Sequence, residues 1–188
     1  PPRGEPQRKR GNNRSEFLRS VYQKFLRHQS PSHGLVDKNI LKKEYYSRKL
    51  HKRVIMTAIN QERLVTTFME LAAIPSPSFA EAAVFNYCAA ALAPLGYATE
   101  LLAYDRGQNL HASRSASAPG FVPLLLSGHA DTVLPCAGVR PVLQDGVIRS
   151  AGDTVLGADN KAALAVFLEV ARTVHEHALP HGQLDILI

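Results

Sequence analysis

Two short segments carry the residues best suited to chemistry. The first is LLLSGHADTV at 124–133, where His129 and Asp131 stand two apart. Side chains two apart in extended backbone point the same way. The Asp131 carboxylate can then accept the imidazole Nδ1–H and leave Nε2 free for a metal, an arrangement that fixes the tautomer and raises ligand basicity. A His-x-Asp triplet on its own equally describes a loop histidine with a hydrogen-bond partner. The second segment is GDTVLGADNKAALAVF at 152–167, where Gly157-Ala158-Asp159 leads directly into a long apolar helix. Asp is a preferred N-cap and interacts well with the helix dipole, the simpler reading of Asp159 taken alone. A carboxylate held at that point could also bridge two cations with its two oxygens.

The surrounding elements must position these groups. The leucines at 124–126 predict a buried strand, and Ser127-Gly128 turns the chain out of the sheet. His129 and Asp131 then sit past a strand's carboxyl end, where open α/β sheets place ligands. Upstream, Asn60 is expected to cap a helix through Leu64, Phe68 and Leu71, stopped by Pro75. Ser78-Phe-Ala-Glu81 reads as a capping box opening a second helix through Phe85 and Cys88, with Gly96 at its end. Strands are expected at 98–103, 109–113 and 122–127, and a hairpin around Asp145-Gly146. A long helix over 160–176 follows, with Glu169, Arg172, Thr173 and Glu176 as a solvated stripe, then a last strand at 184–188. Short apolar strands alternating with apolar helices predict an α/β domain whose sheet is covered on both faces.

Taken together, SGHADTV, the intervening hairpin and GDTVLGADNKAALA resemble the zinc peptidase family of peptidase T, which also contains aminoacylases, desuccinylases and glutamate carboxypeptidases. The resemblance covers about residues 58–188. It implies a three-layer α/β catalytic domain with a central mixed sheet over residues 56–188, incomplete at its C-terminus. It further implies that His129 binds one zinc, that Asp131 orients it as an active-site residue, and that Asp159 bridges two zincs. In the family a Glu-Glu pair follows a strand like 183–188, supplying the general base and a zinc ligand. A further acidic ligand, a distant histidine and a lid domain that forms a homodimer come later. None of these is found in the 188 residues. The sequence therefore reads as a fragment with two metal ligands and no base. A catalytic zinc site usually takes three ligands from protein, so these residues are expected neither to hold two zincs tightly nor to hydrolyse peptides. The activity implied for the complete enzyme is metal-assisted cleavage of short peptides, as an aminopeptidase. An N-acyl amino acid deacylase or carboxypeptidase of the same fold is the alternative within the family. A non-catalytic remnant or a binding module with a basic arm is the alternative outside it.

The net charge of +6 belongs to the start of the chain. Residues 1–55 hold 15 Lys/Arg against 4 Asp/Glu, whereas residues 56–188 hold 7 against 12. This leader is polar and Pro/Gly-punctuated, so disorder is expected, with a short helix near 14–27. A basic arm could neutralise phosphates, but no nucleic-acid reader motif accompanies it, and nucleic acid is disfavoured as a partner. Its acidic residues and scattered prolines argue against a transit peptide. Met56 opens the globular patterning, so the leader reads best as non-native upstream sequence. No apolar run approaches the roughly 18 residues of a membrane span, and no secretory h-region follows the basic start. Cys88 and Cys136 make no disulfide framework, and a cytoplasmic location is expected. His175 and His177 read as solvated residues at a helix end, His181 as a loop residue, and His111 as an outward strand position. No G-x-S-x-G elbow, P-loop or G-x-G-x-x-G is present, which disfavours serine hydrolases and nucleotide binders.

Overall fold

The computed structural model describes residues 59–188, and the expectations for the leader lie outside the described residues. Helix α1 (Gln61–Ala73) begins as its sequence predicts: Asn60 Oδ1 accepts the Arg63 N–H at 2.9 Å. It stops at Ile74, whose extended backbone suits the Pro75 that follows. Helix α2 (Ala82–Leu92) departs from expectation, because Glu81 is its N-cap residue and the Ser78 capping box does not form. The Ser78 hydroxyl reaches Asp131 instead, and Glu81 Oε1 accepts the Phe79 N–H at 2.7 Å. A single 3-10 turn, Ala93–Leu95, continues α2 to Gly96, whose φ of 84° supplies the left-handed stop.

Four strands then build one mixed sheet: β1 (Ala98–Tyr104), β2 (Gly107–Arg114), β3 (Leu124–Ser127) and β6 (Leu184–Leu187). Their order is β1-β2-β6-β3, with β6 antiparallel to β2 and parallel to β3. Strands β4 (Pro141–Gln144) and β5 (Val147–Ser150) form a separate hairpin. Its connection Asp145-Gly146 has positive φ at both residues, 52° and 74°, the twist that a two-residue hairpin needs. Helix α3 (Ala158–Glu176) lies between this hairpin and β6 in the chain.

Strand periodicity divides the sheet into two chemically different faces. Leu110 and Ala112 of β2, Leu126 of β3 and Leu184 and Ile186 of β6 join one core with Leu71, Phe85, Cys88, Leu92, Leu164 and Leu168 of the three helices. Each fully buried leucine there contributes about 1.5–3 kcal/mol. His111 and Asp185 alternate onto the other face. The described residues thus supply the sheet and the helical layer on one of its faces.

Two expectations are corrected. The leucine strand β3 is not buried: Leu124 is 46% exposed, because β3 is the edge strand of this sheet among the described residues. The polar stripe of α3 is not solvated either. Glu169 and Thr173 are buried against α1, where Arg63 Nε meets Glu169 Oε2 at 2.8 Å and the Asn60 N–H donates to Glu169 Oε1 at 3.0 Å. Arg172 donates to Thr67 Oγ1 at 2.8 Å, and Arg63 also pairs with Glu176 at 2.5 Å. Pairing of Glu169 with Arg63 and Asn60 offsets the cost of burying its charge, whereas the buried Thr173 hydroxyl has no hydrogen-bond partner among the described residues; the polar stripe becomes a helix–helix interface. Val166 and Val170 stand exposed in its place. Among the described residues, no helix is long and apolar enough to cross a membrane.

Candidate metal centre

Beyond β3, Gly128 takes the chain off the sheet. A Cβ there would lie 3.2 Å from Leu164 Cδ2 and Phe167 Cε2, so a hydrogen in that place lets α3 pack close beneath the loop. In the next four residues, Ala130 and Thr132 are buried while His129 and Asp131 face outward, half-exposed. The loop between α1 and α2 clasps this segment at three points. Ser76 Oγ donates to the Ala130 carbonyl at 2.7 Å, and the Thr132 N–H donates to the Ser76 carbonyl at 2.8 Å. Ser78 Oγ donates to Asp131 Oδ2 at 2.6 Å.

His129 Nδ1 lies 3.0 Å from Asp131 Oδ1 and 3.1 Å from the Asp131 backbone carbonyl. A carbonyl and a carboxylate can only accept, so the partners assign a proton to Nδ1. The sequence anticipated the carboxylate contact, whereas the carbonyl contact comes from the turn itself. Nε2 points the other way and stands 3.2 Å from Asp159 Oδ1.

Asp159 arrives from the start of α3 by an irregular route. Gly157 has φ 73°, and a Cβ on it would stand 2.9 Å from Thr132 Cγ2, so the two loops meet at this glycine. Asp159 (φ −90°, ψ 105°) and Asn160 (φ −118°, ψ 21°) are non-helical and joined by a cis peptide bond. Regular helix therefore starts beyond Asn160. The N-cap reading of Asp159 gives way: its side chain is 94% exposed and meets His129. Two residues on, Lys161 is buried and donates from Nζ to the Ile74 carbonyl at 2.5 Å, tying the start of α3 to the end of α1. Burial depresses its pKa, opposed by the nearby Cys136.

In the neutral ring with its proton on Nδ1, Nε2 keeps a lone pair, so Nε2 and Asp159 Oδ1 can both serve one cation as electron-pair donors. Metal–ligand bonds of about 2.0–2.2 Å set two donors on one tetrahedral zinc roughly 3.3–3.5 Å apart, close to the separation found here. Imidazole and carboxylate also suit a borderline divalent cation. No group of three or more His, Cys, Asp or Glu side chains able to hold a metal occurs among the described residues. The pair offers one edge of a coordination shell.

The other histidines and cysteines stand apart from this centre. His111 lies between Glu100 Oε1 at 3.1 Å and Asp185 Oδ1 at 3.0 Å, a cluster on the far face of the sheet that the sequence reading passed over. His181 lies in a loop, as expected, and is buried there, with Nδ1 donating to the Gly182 carbonyl at 2.6 Å. Cys88 and Cys136 are buried free thiols, and burial pushes Cys88 up to about 12. An open groove of ≈ 540 Å³ lies beside the Ser78 turn, lined by Phe79, Glu81, Tyr104, Asp105 and Arg106, and does not include His129 or Asp159. Ser78 itself was missed at the sequence level. It stands 53 residues from its carboxylate partner, and its capping-box context pointed elsewhere.

No family model matches the chain. It is 28% identical over 136 residues to the uncharacterized protein YqjE of Bacillus subtilis (strain 168), a match covering 69% of this chain and 36% of that protein. Among solved structures it is similar to a tripeptidase from Staphylococcus aureus subsp. aureus mu50, at 34% identity and a TM-score of 0.65 over 69% of this chain and 36% of that one. It is also similar to the aminopeptidase PepT from Bacillus cereus ATCC 10987, at 37% identity and a TM-score of 0.64 over 70% of this chain and 36% of that one. The chain therefore spans about a third of the length of these relatives. An aminoacylhistidine dipeptidase from Vibrio alginolyticus shares the fold at 21% identity and a TM-score of 0.53.

Proposed function

The chain belongs to the peptidase T-like family of peptidases, its described residues carrying the mixed α/β fold of their catalytic domain, and on that premise we propose that it serves a metal-dependent aminopeptidase activity on short peptides. The observation that carries this reading is the 3.2 Å approach of His129 Nε2 to Asp159 Oδ1, with the opposite ring nitrogen anchored by Asp131. In this reading His129 offers its Nε2 lone pair to one zinc. Asp159, its side chain 94% exposed, would be the carboxylate shared between two zincs. Asp131 keeps the proton on Nδ1 and makes the imidazole a better ligand. Zinc bound there supplies Lewis acidity, polarising a peptide carbonyl and making water easier to deprotonate. Pairing of subunits through a lid domain and a cytoplasmic location belong to the same proposal.

Zinc titration by calorimetry on the chain, on His129→Ala and on Asp159→Ala tests the ligand assignment. Two donors predict a weak site in the parent chain and its loss in both variants. Binding that is equal in all three proteins would overturn the assignment. The substrate class is tested on a protein that carries this domain at the relatives' length, stripped with chelator and reloaded. Cleavage of tripeptides over N-acyl amino acids is the expected result, and the reverse preference would move the activity to a deacylase.

A further inference from the structure

The three bonds from the α1–α2 loop to the His129 segment differ in kind. The two made by Ser76 hold backbone, and either would serve any loop that needs fastening. The third ends on a side chain that itself touches the histidine. Ser78 Oγ donates to Asp131 Oδ2 at 2.6 Å, while the other oxygen of the same carboxylate stands 3.0 Å from His129 Nδ1. The Asp131 side chain is only half-buried, so packing alone holds it loosely. A carboxylate free to turn has two ways to spoil the centre. It can release Nδ1 and let the imidazole swing, or bring an oxygen round to take the cation itself.

Ser78 is held firmly enough to prevent this. It sits in a turn closed by the Ala80 N–H donating to the Pro77 carbonyl at 2.9 Å. The following residue, Phe79, adopts φ 71°, unusual for a residue with a bulky side chain. Two contacts support that conformation: the Phe79 N–H donates to Glu81 Oε1 at 2.7 Å, and the Arg106 guanidinium lies 4.9 Å from the Phe79 ring centre. A hydroxyl presented by so constrained a turn binds one carboxylate oxygen in one direction.

We propose that Ser78 is a positioning residue for the metal centre: its hydroxyl locks the Asp131 carboxylate onto His129 Nδ1, which aims Nε2 at Asp159 and withholds Asp131 from the cation. The inference rests on the reading of His129 and Asp159 as metal ligands. Losing a group that orients a metal-bound histidine typically costs 10–100-fold in affinity; Ser78 acts one bond further out and in water, so about three- to tenfold is expected.

The test is a cobalt(II) titration of the whole chain, followed by visible absorption, on the parent, Ser78→Ala, Ser78→Thr and His129→Ala. Cobalt reports both affinity and coordination geometry, and no turnover is needed. Ser78→Ala should bind about three- to tenfold more weakly with a shifted spectrum, as Asp131 turns onto the ion, while the thermal midpoint stays put. Ser78→Thr keeps the hydroxyl and should restore both affinity and spectrum. Identical titrations and spectra for the parent and Ser78→Ala would overturn the role of Ser78, as would failure of Ser78→Thr to restore what alanine removes. Cobalt binding unaffected by His129→Ala would instead overturn the metal centre, an outcome separate from either.

Discussion

Asp159 Oδ1 stands 3.2 Å from His129 Nε2, although 30 residues and a β-hairpin separate them in the chain. Asp159→Asn keeps the shape and removes the charge, and is expected to weaken cobalt binding more than about tenfold, since an amide oxygen is a poorer donor. Because the side chain is exposed, stability should change by less than about 0.5 kcal/mol. Equilibrium dialysis beside a thermal melt checks both, and a variant that binds cobalt as the parent does would remove Asp159 from the centre.

Gly157 is where the two site loops touch. Its φ of 73° is left-handed, and a Cβ would press to 2.9 Å from Thr132 Cγ2. Gly157→Ala should therefore cost about 1–3 kcal/mol in a denaturant melt, and should weaken cobalt binding by displacing Asp159 from His129. Ala158→Gly, one residue on, lacks both constraints. If the two variants behave alike, the close approach at Gly157 does not matter.

The His111 cluster gives stability a predictable pH dependence. The hydrogen bond with Asp185, helped by Glu100, raises His111 above its ordinary 6.5 in spite of burial. Its contribution is complete below about 6.5 and is lost as pH rises through the folded value, above that point. For Asp185, burial works upward, but hydrogen bonds from His111, Ser113 and Gln183 prevail and hold it below its ordinary 3.8. Its contribution is present above about 3.8 and is lost on stronger acidification. Thermal midpoints should thus be highest between about pH 4 and 6.5 and decline on the alkaline side. In His111→Gln that decline should disappear, at a general cost of about 1–3 kcal/mol for the bonds removed from buried Asp185. Parallel pH curves for the two proteins would show that His111 does not carry it.

Arg63 and Glu169 join α1 to α3 with a carboxylate that is almost wholly buried. Arg63→Ala leaves that charge with the Asn60 N–H and the weaker pull of Arg172, and is expected to cost about 3 kcal/mol. Arg63→Leu with Glu169→Leu removes the uncompensated charge and should recover most of the loss. A double-mutant cycle by urea unfolding measures the difference, and a double variant no better than Arg63→Ala would contradict it.

Much of the architecture could be read along the chain because the relevant forces are local. Asn60 capping α1, the left-handed Gly96 and the two-residue Asp145-Gly146 connection each depend on a few neighbouring dihedrals. Two side-chain expectations failed for a shared reason. Glu169 and Thr173 on α3, like Ser78 before α2, were assigned partners within one helical turn or to water. Glu169 and Ser78 find their partners on other elements, where a buried or directed hydrogen bond outweighs the local alternative, and Thr173 is buried with its hydroxyl unpaired among the described residues. Leu124 to Leu126 erred the opposite way, since an apolar run does not say whether its strand lies inside the sheet or at its edge.

From sequence alone, His129 and Asp131 could be paired, because extended backbone sends alternate side chains the same way. The type of Asp159 was equally visible, at the entrance to the longest helix. Only the folded chain decided that Asp159 leaves its helix end to face His129, since that depends on irregular backbone at Asp159 and Asn160 and on Gly157 allowing two loops within contact distance. Hydrogen bonds between residues far apart in the chain, such as Ser78 to Asp131, leave no period or spacing in the sequence. They exist only after the core has closed and brought their elements together.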